Sequence, residues 1–149
     1  MYKHILVPTD GSPLSLKAVK AASDLAKTLK ARVTALHVTP LFRPPMMEEA
    51  AVAYTNVYSE AAFRESTQKS SAKVLAKAKT AFEENRIECE TTSVEGETPW
   101  ESIIATAKGK KCDLIVMASH GRRGLAGVLL GSETTKVLTH SKTPVLVCR

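Results

Sequence analysis

The strongest constraint on the fold of this chain is a regular alternation of short apolar runs with longer segments of helical periodicity. Apolar runs lie at 5–7, 33–38, 114–118 and 144–148, and a fifth, more polar run lies at 87–94. Unbroken apolar runs are typical of parallel strands that are covered on both faces, and right-handed crossovers between them leave a doubly wound sheet as the main solution. We therefore predict one α/β domain over residues 1–149, with a five-stranded parallel sheet in the order 3-2-1-4-5 and helices on both faces.

Local signals mark where the helices begin and end. Ser12 and Pro13 have the residue types that favour an N-cap and a first helical position, and Thr98 and Glu101 have the spacing of a capping box. Helices are predicted after Ser12, over about 60–85, from Thr98 to a basic, glycine-containing end at 108–111, and over 132–139. The proline-containing segment 40–58 is predicted to be an inserted loop or at most a short helix. The alternating polar residues of the third strand favour an edge position.

Composition limits the classes of function. The chain has 21 Lys and Arg against 15 Asp and Glu, a formal net charge of +6, which suits an anionic partner. No nucleic-acid-binding signature and no apolar run of membrane-spanning length are present, so we predict neither a nucleic-acid nor a membrane partner. Cys89, Cys112 and Cys148 have no Cys-x-x-Cys spacing and are interpreted as small buried hydrophobes in a reducing compartment. Together with the lack of a secretory signal, this predicts a cytoplasmic protein.

The segment most indicative of function is a glycine-spaced basic loop at 118–132, which follows an apolar strand and leads into a helix at Ser132. Backbone N–H groups in such a loop point inward, and the dipole of the following helix favours negative charge, so this combination can hold a phosphate chain. Ligands of doubly wound sheets bind beyond the carboxyl ends of the strands, where the strand order reverses. If the first and fourth strands are neighbours there, the loop at 8–12 faces the loop at 118–132 across one crevice.

Several motifs occur together in the order and spacing of a known family. They are Val7-Pro8-Thr9-Asp10-Gly11-Ser12 after the first strand, Leu36-His37-Val38 in the second, Ser119-His120-Gly121 with nine residues before Gly131-Ser132, and the closing Thr143-Pro144-Val145-Leu146-Val147. With these motifs the chain resembles the universal stress protein family from end to end, apart from residues 40–66. The resemblance implies binding of ATP or its products, a regulatory or stress-response role without fast catalysis, and a homodimer.

The resemblance also implies a set of nucleotide-binding residues. Asp10 would meet the ribose or the adenine, and the backbone of Val38 would contact the base. The other implied site residues are Pro8 and Thr9 in the wall beside Asp10, Gly121, Gly131 and Ser132 at the phosphates, and Ala118, Ser119, His120, Arg122, Arg123 and Glu133 around them. The implied ligand is ATP or AMP, with ADP possible, and Mg²⁺ only where the nucleotide carries it. No catalytic residue and no metal site of the protein's own are predicted.

Two of these positions depart from the usual family pattern. Ala118 stands where the family usually has glycine; its methyl group is a small loss if φ there is negative, whereas a positive φ would force the loop to rearrange. Glu133 stands where the family often has an apolar residue. Its carboxylate would stabilise the first turn of the helix but would repel a nearby phosphate, which Arg122 and Arg123 could offset.

Alternative interpretations stay open at this point. Asp10 also fits a turn residue that bonds its own backbone ahead of Ser12, and His120 fits a structural role in the loop better than a general base. The chain could be a dimeric interaction module of the same family that binds no nucleotide. It could also be a slow ATP-hydrolysing or adenylating enzyme on the same fold, although 9–13 lacks the Ser-Gly-Gly-type loop of such enzymes. A phospho-receiver is disfavoured because no aspartate follows the middle strand.

The last strand, at 144–148, is short and apolar, and an exposed apolar edge is a template for strand pairing. If this strand forms the edge next to the fourth strand, pairing with a twofold-related copy would cover both edges. We therefore predict a homodimer interface at Val145, Leu146 and Val147, as the resemblance also implies.

Overall fold

A computed structural model, which describes residues 1–44, 59–121 and 130–149, shows the predicted alternation of strands and helices. The elements are β1 (His4–Pro8), α1 (Pro13–Leu29), β2 (Arg32–Thr39), α2 (Glu60–Glu83), β3 (Cys89–Glu95), α3 (Pro99–Gly109), β4 (Leu114–Ala118), α4 (Ser132–His140) and β5 (Val145–Cys148). All neighbouring strands are parallel, in the order β3-β2-β1-β4-β5. The predicted fold class and strand order are confirmed. Most of the predicted insert, 45–58, lies outside the described residues.

The central strands are buried because their side chains are apolar on both faces. In β1, Ile5 and Val7 pack with residues of α1 and α2 on one face, whereas Leu6 packs with residues of α3 and α4 on the other. None of these three side chains has exposed surface. Full burial of such a side chain contributes roughly 1.5–3 kcal/mol. The two apolar layers therefore hold the sheet, and the loops at its ends are left to form sites.

β3 is an edge strand, as its polar sequence predicted, but it begins later than expected. The strand starts at Cys89, whereas the sequence pattern predicted a start at Ile87. The side chain of Ile87 is buried in the core that contains Phe82, and its N–H donates to the Phe82 carbonyl at 3.0 Å. Ile87 therefore closes the end of α2 and does not extend the sheet.

The structure confirms the helix cap predicted at Ser12 and contradicts the one predicted at Thr98. Ser12 caps α1, with its Oγ accepting from the Ser15 N–H at 3.2 Å, and α1 begins at Pro13. The capping box predicted for Thr98 and Glu101 is wrong: the Thr98 hydroxyl donates to the Glu101 carboxylate and caps no backbone N–H of α3. The start of α3 therefore needs an acceptor from elsewhere in the fold.

Three helices end with a cationic residue in the left-handed conformation. These residues are Lys30 after α1, Arg86 after α2 and Lys111 after α3, with φ of 54°, 57° and 55°. In each case the N–H of the next residue reaches back to a carbonyl five positions earlier, which is typical of a Schellman helix end. The basic, glycine-containing end of α3 predicted at 108–111 is confirmed. Gly109 is the last helical residue, and Lys111 adopts the positive φ.

Candidate functional site

Two loops leave the carboxyl ends of the neighbouring strands β1 and β4, where the strand order reverses. In the loop after β1, the Thr9 N–H donates to the Leu36 carbonyl at 2.8 Å. Asp10 Oδ1 accepts from the Ser12 N–H at 2.9 Å, and Gly11 has a φ of 76°, which glycine adopts without steric cost. The turn interpretation of Asp10 is therefore confirmed, and the turn fixes the direction of its carboxylate.

The loop after β4 is anchored at both of its described ends. The Ser119 N–H donates to the Cys148 carbonyl at 2.7 Å, and the Gly131 N–H donates to the Ser119 carbonyl at 2.8 Å. The Thr134 hydroxyl donates to the Ala118 carbonyl at 3.0 Å. These bonds hold the first turn of α4 directly against the end of β4.

The two loops approach each other closely. A methyl group added at Gly121 would lie 2.8 Å from Asp10 Oδ2, and one added at Gly131 would lie 3.0 Å from His120 Cβ. Both distances are shorter than ordinary van der Waals contacts. A side chain at Gly121 would therefore push the two loops apart, and one at Gly131 would distort the loop after β4, to which His120 also belongs. The predicted crevice between 8–12 and 118–132 is confirmed for the described residues. Arg122 and Arg123, which were predicted to belong to it, lie outside them.

The crevice contains an inner and an outer cavity. The inner cavity has a volume of about 210 Å³, and its mainly apolar lining includes Leu36, Val38, Pro99, Ile103 and Met117. The outer cavity has a volume of about 600 Å³ and extends from the loop after β3 to the first turn of α4. The lining of the outer cavity is also mainly apolar but has a larger polar share than that of the inner one. An apolar recess beside a more polar space suits a ligand with one flat apolar end and one charged end.

The first turn of α4 provides a site for that charged end. The N-cap of α4 is Gly131, so no side chain of the cap residue accepts from the backbone N–H groups of this turn. Such N–H groups, together with the positive end of the helix dipole, bind phosphate and carboxylate groups.

Glu133 places a negative charge at the start of two helices. It lies in the first turn of α4, and its Oε2 accepts from the Trp100 N–H at the start of α3, at 2.9 Å. Its Oε1 lies 3.5 Å from Lys136 Nζ. The stabilising effect on α4 was predicted from sequence, whereas the contact with α3 spans 33 residues and depends on how the helices pack. Glu133 thus supplies the acceptor at α3 that Thr98 does not.

Most of the predicted site residues line the crevice: Pro8, Thr9, Asp10, Val38, Ala118, His120, Gly121, Gly131, Ser132 and Glu133. Ser119 does not line it; this residue is 2% exposed, and its hydroxyl lies 3.1 Å from His120 Nδ1. This contact supports the structural interpretation of His120. Ala118 does not have a positive φ, so its methyl group is tolerated without a rearrangement of the loop.

Several lining residues were missed by the sequence analysis. Leu36 and Met117 were assigned to strands, and their positions near the carboxyl ends of β2 and β4 could have indicated the crevice. Pro99 and Ile103 belong to the first turns of α3, and Thr134 to the first turn of α4. Their place at the site follows from the packing of α3 beside α4, which no local sequence signal encodes.

Three further features of the described residues bear on function: the reactivity of the cysteines, the grouping of metal-binding side chains and the length of the apolar helices. Burial raises the pKa of Cys89 and of Cys112 to about 11, and it also raises the pKa of Cys148. All three are therefore protonated at neutral pH and weakly nucleophilic. Within the described residues, no three His, Cys, Asp or Glu side chains are grouped closely enough to hold a metal ion. No helix in the same part of the chain is both long and apolar enough to cross a bilayer.

The fold and the crevice define a class of protein, namely a doubly wound α/β domain with a ligand crevice at the carboxyl rim of a parallel sheet. A sequence model of the universal stress protein family matches residues 1–149. Universal stress protein MJ0531 of Methanocaldococcus jannaschii is 36% identical over 149 residues, which cover 100% of this chain and 83% of that protein. Universal stress protein YxiE of Bacillus subtilis is 35% identical over 149 residues, with both chains covered to 100%. The chain belongs to the universal stress protein family.

Solved structures show the same relationship. The structure of protein MJ0577, from the same archaeon, superimposes with a TM-score of 0.79 and 33% identity, covering 99% of this chain and 96% of that one. A universal stress protein in complex with cAMP has a TM-score of 0.66 and 26% identity, with 98% and 95% coverage. That relative is therefore an adenine-nucleotide complex on the same fold.

Proposed function

We propose that this protein binds an adenine nucleotide, ATP or AMP, in the crevice and acts as a dimeric regulatory protein of the stress response. One observation carries the proposal: an apolar recess at the carboxyl rim opens onto the first turn of α4, whose N-cap has no side chain. Adenine suits the recess, and a phosphate suits the helix start. The cAMP complex of the relative that is 26% identical supports the choice of an adenine nucleotide.

The contacts of the described residues suggest a role for each part of the crevice. In the proposed complex the base packs near Val38 in the inner cavity, and the Asp10 carboxylate, whose direction is fixed by the bond from the Ser12 N–H to Oδ1, meets the ribose. The phosphates meet the backbone N–H and the hydroxyl of Ser132. Gly131 acts by leaving space, because its own N–H already donates to the Ser119 carbonyl. Mg²⁺ would enter only as part of the nucleotide complex.

Binding is proposed in preference to fast catalysis. Phosphoryl transfer normally needs carboxylates that hold Mg²⁺ and a positioned nucleophile. Two of the described acidic residues of the crevice already have cationic or N–H partners: Glu97 pairs with Arg43, and Glu133 accepts from the Trp100 N–H. Product analysis with labelled ATP tests this part, and rapid release of AMP and pyrophosphate would show an adenylating enzyme. A cytoplasmic location belongs to the same proposal and is supported by three free cysteines.

The proposed homodimer pairs β5 with the β5 of a second copy. β5 is the strand at the edge next to β4, and Leu146 on it is 43% exposed. Val145 packs against the core shared with α3 and α4, so Leu146 is the better position to alter. We expect Leu146→Lys to give monomers in analytical ultracentrifugation, whereas Leu138→Lys, at a residue of α4 that is 41% exposed, leaves the dimer intact. A monomeric parent protein, or a dimer that persists in Leu146→Lys, would contradict the interface.

Calorimetric titration with AMP, cAMP, ADP and ATP tests the nucleotide proposal directly. We expect one site per chain and at least one dissociation constant below about 1 mM, equivalent to more than about 4 kcal/mol of binding free energy. If none of the four nucleotides binds this tightly, the proposal fails and the interaction-module alternative is favoured. Mass spectrometry of any ligand that co-purifies with the protein would identify the nucleotide carried in cells.

A further inference from the structure

A separate cavity lies at the amino ends of the strands, opposite the crevice, and is lined by several cationic side chains. Its volume is about 500 Å³, and its cationic lining residues, which we call the cationic cluster, are Lys3, Lys27, Lys30, Arg32 and Arg86. They come from the chain before β1, the end of α1, the start of β2 and the turn after α2. The 8 residues of β2 separate this end of the sheet from the crevice by roughly 23 Å.

Within the cavity lining, the cations of the cluster outnumber the acids. None of its five members forms an ion pair with another described residue, and the one acid among the described lining residues is Glu88. The carbonyl ends of α1 and α2 also face this rim, and each contributes the equivalent of about half a negative charge. With these contributions the cavity lining has a net charge of about +3. The carboxylate of Asp113, which accepts from the Lys3 N–H at 2.8 Å, lies beside it.

Two members of the cluster have an unfavourable backbone conformation. Lys30 and Arg86 have φ of 54° and 57°, a conformation that costs a residue with a Cβ atom roughly 1–2 kcal/mol. Glycine is the usual residue at this position of a helix end. Backbone stability would therefore favour glycine at both positions, yet a long cation that lines the cavity stands at each. Lys111 after α3 has the same conformation but does not line the cavity, so the cavity and its charge, and not the strain, indicate the site.

We propose that the cationic cluster is a second anion site, which binds a compact ligand carrying several phosphate groups. The volume of the cavity lies within the range of about 300–1,000 Å³ that is typical of small-molecule pockets. Arginine binds phosphate through two parallel hydrogen bonds, and lysine binds it as a point charge. The site shares no lining residue with the crevice, so occupation of one does not block the other.

The lining favours a compact phosphate ligand over two other polyanions. Single-stranded nucleic acid normally stacks its bases on aromatic side chains, and no aromatic residue is among the described lining residues. Binding at a membrane surface needs apolar side chains that insert beside the basic ones. The largest apolar residue of the lining, Ile87, is itself buried at 8% exposure.

The test uses tripolyphosphate as the probe and a double variant that separates charge from folding. Lys30→Gly with Arg86→Gly removes two cations and also relieves the left-handed strain. We expect tripolyphosphate to bind the parent protein with one site per chain in calorimetry at low ionic strength, without Mg²⁺. The double variant should lose at least tenfold in affinity while its melting temperature stays equal or rises, and Lys27→Met should weaken binding without any change of backbone.

The matched control removes two cations elsewhere. Lys73→Ala with Lys77→Ala changes the net charge equally on the exposed face of α2, and we expect its affinity to stay within twofold of the parent. The proposal is overturned if the parent does not bind, if the glycine variant keeps its affinity, or if both double variants lose affinity equally, which would show a net-charge effect. Tighter binding of a single-stranded oligonucleotide or of anionic vesicles than of tripolyphosphate would overturn the assigned class of ligand.

Discussion

The two ends of the sheet differ in the helix ends they present and in the charges of the side chains placed there. At the carboxyl rim α3 and α4 begin, and the carboxylate of Glu133 lies in the first turn of one and accepts from the first turn of the other. At the amino rim α1 and α2 end, and Lys30 and Arg86 occupy their left-handed terminal positions. Both arrangements follow the rule that negative side chains stabilise helix starts and positive ones stabilise helix ends. The difference is that the carboxyl rim offers backbone donors in a tight space, whereas the amino rim offers side-chain cations.

Side chains added at the glycines of the carboxyl rim should cause the largest loss of nucleotide affinity. Gly121→Val and Gly131→Val place atoms within about 3 Å of neighbouring loop atoms, and overpacking of this kind costs about 1–3 kcal/mol. We therefore expect nucleotide affinity in calorimetry to fall roughly 10- to 100-fold. Gly109→Ala is the matched control, because nothing lies within 4 Å of its added methyl group. Unchanged affinity in both valine variants would mean that the ligand does not bind between these loops.

At the amino rim, by contrast, a glycine introduced at a residue with positive φ should stabilise the folded protein. Lys30→Gly relieves a positive φ and should raise the free energy of unfolding by about 1 kcal/mol. For a chain of this size that corresponds to an increase of about 2–4 °C in melting temperature. Lys27→Gly removes the same charge inside α1, where glycine costs up to about 1 kcal/mol, and should lower the melting temperature. Calorimetric melting that shows the same sign for both variants would contradict the backbone argument.

Removal of the charge at Glu133 tests how much this carboxylate weakens phosphate binding at the carboxyl rim. Glu133→Gln keeps an oxygen that can accept from the Trp100 N–H but removes a negative charge near the proposed phosphates. Charges at helix starts contribute about 0.3–1 kcal/mol, so affinity for ATP relative to AMP should rise about two- to fivefold. The effect should shrink as salt is added. An equal change for both nucleotides would indicate a structural role, and Lys136→Met serves as a control for the neighbouring partner.

The smallest expected effect concerns a buried histidine at the amino rim. Burial, and after it the charge of Arg32, lowers the pKa of His4, while Asp113 and Glu90 act in the opposite direction. The unfolded state therefore binds a proton more readily than the folded state, and the free energy of unfolding falls as the pH drops below about 6.5. When the pH is lowered from about 7.5 to about 5, the melting temperature of His4→Gln should fall less than that of the parent protein. Equal losses would show that His4 does not contribute.

The fold was predictable because its main signals are local and repeated. Apolar runs and helical segments alternate along the whole chain, and this order admits few topologies. The errors lie at element ends, where tertiary contacts override local patterns. Ile87 looks like a strand residue but closes α2. Thr98 has capping-box spacing, but its hydroxyl bonds the Glu101 side chain and caps no backbone N–H of α3.

The sequence by itself determined the parallel sheet and the two loops that form the crevice, because these depend on residue type and spacing along the chain. Through the family resemblance of its motifs it also indicated about half of the residues that line the crevice. Only the tertiary structure decided that Glu133 reaches the start of α3 and that the first turns of α3 and α4 complete the crevice. It also brought four separate segments together into the cationic cluster at the amino rim. Contacts between distant segments depend on how helices pack on the sheet, and local patterns carry no information about that packing.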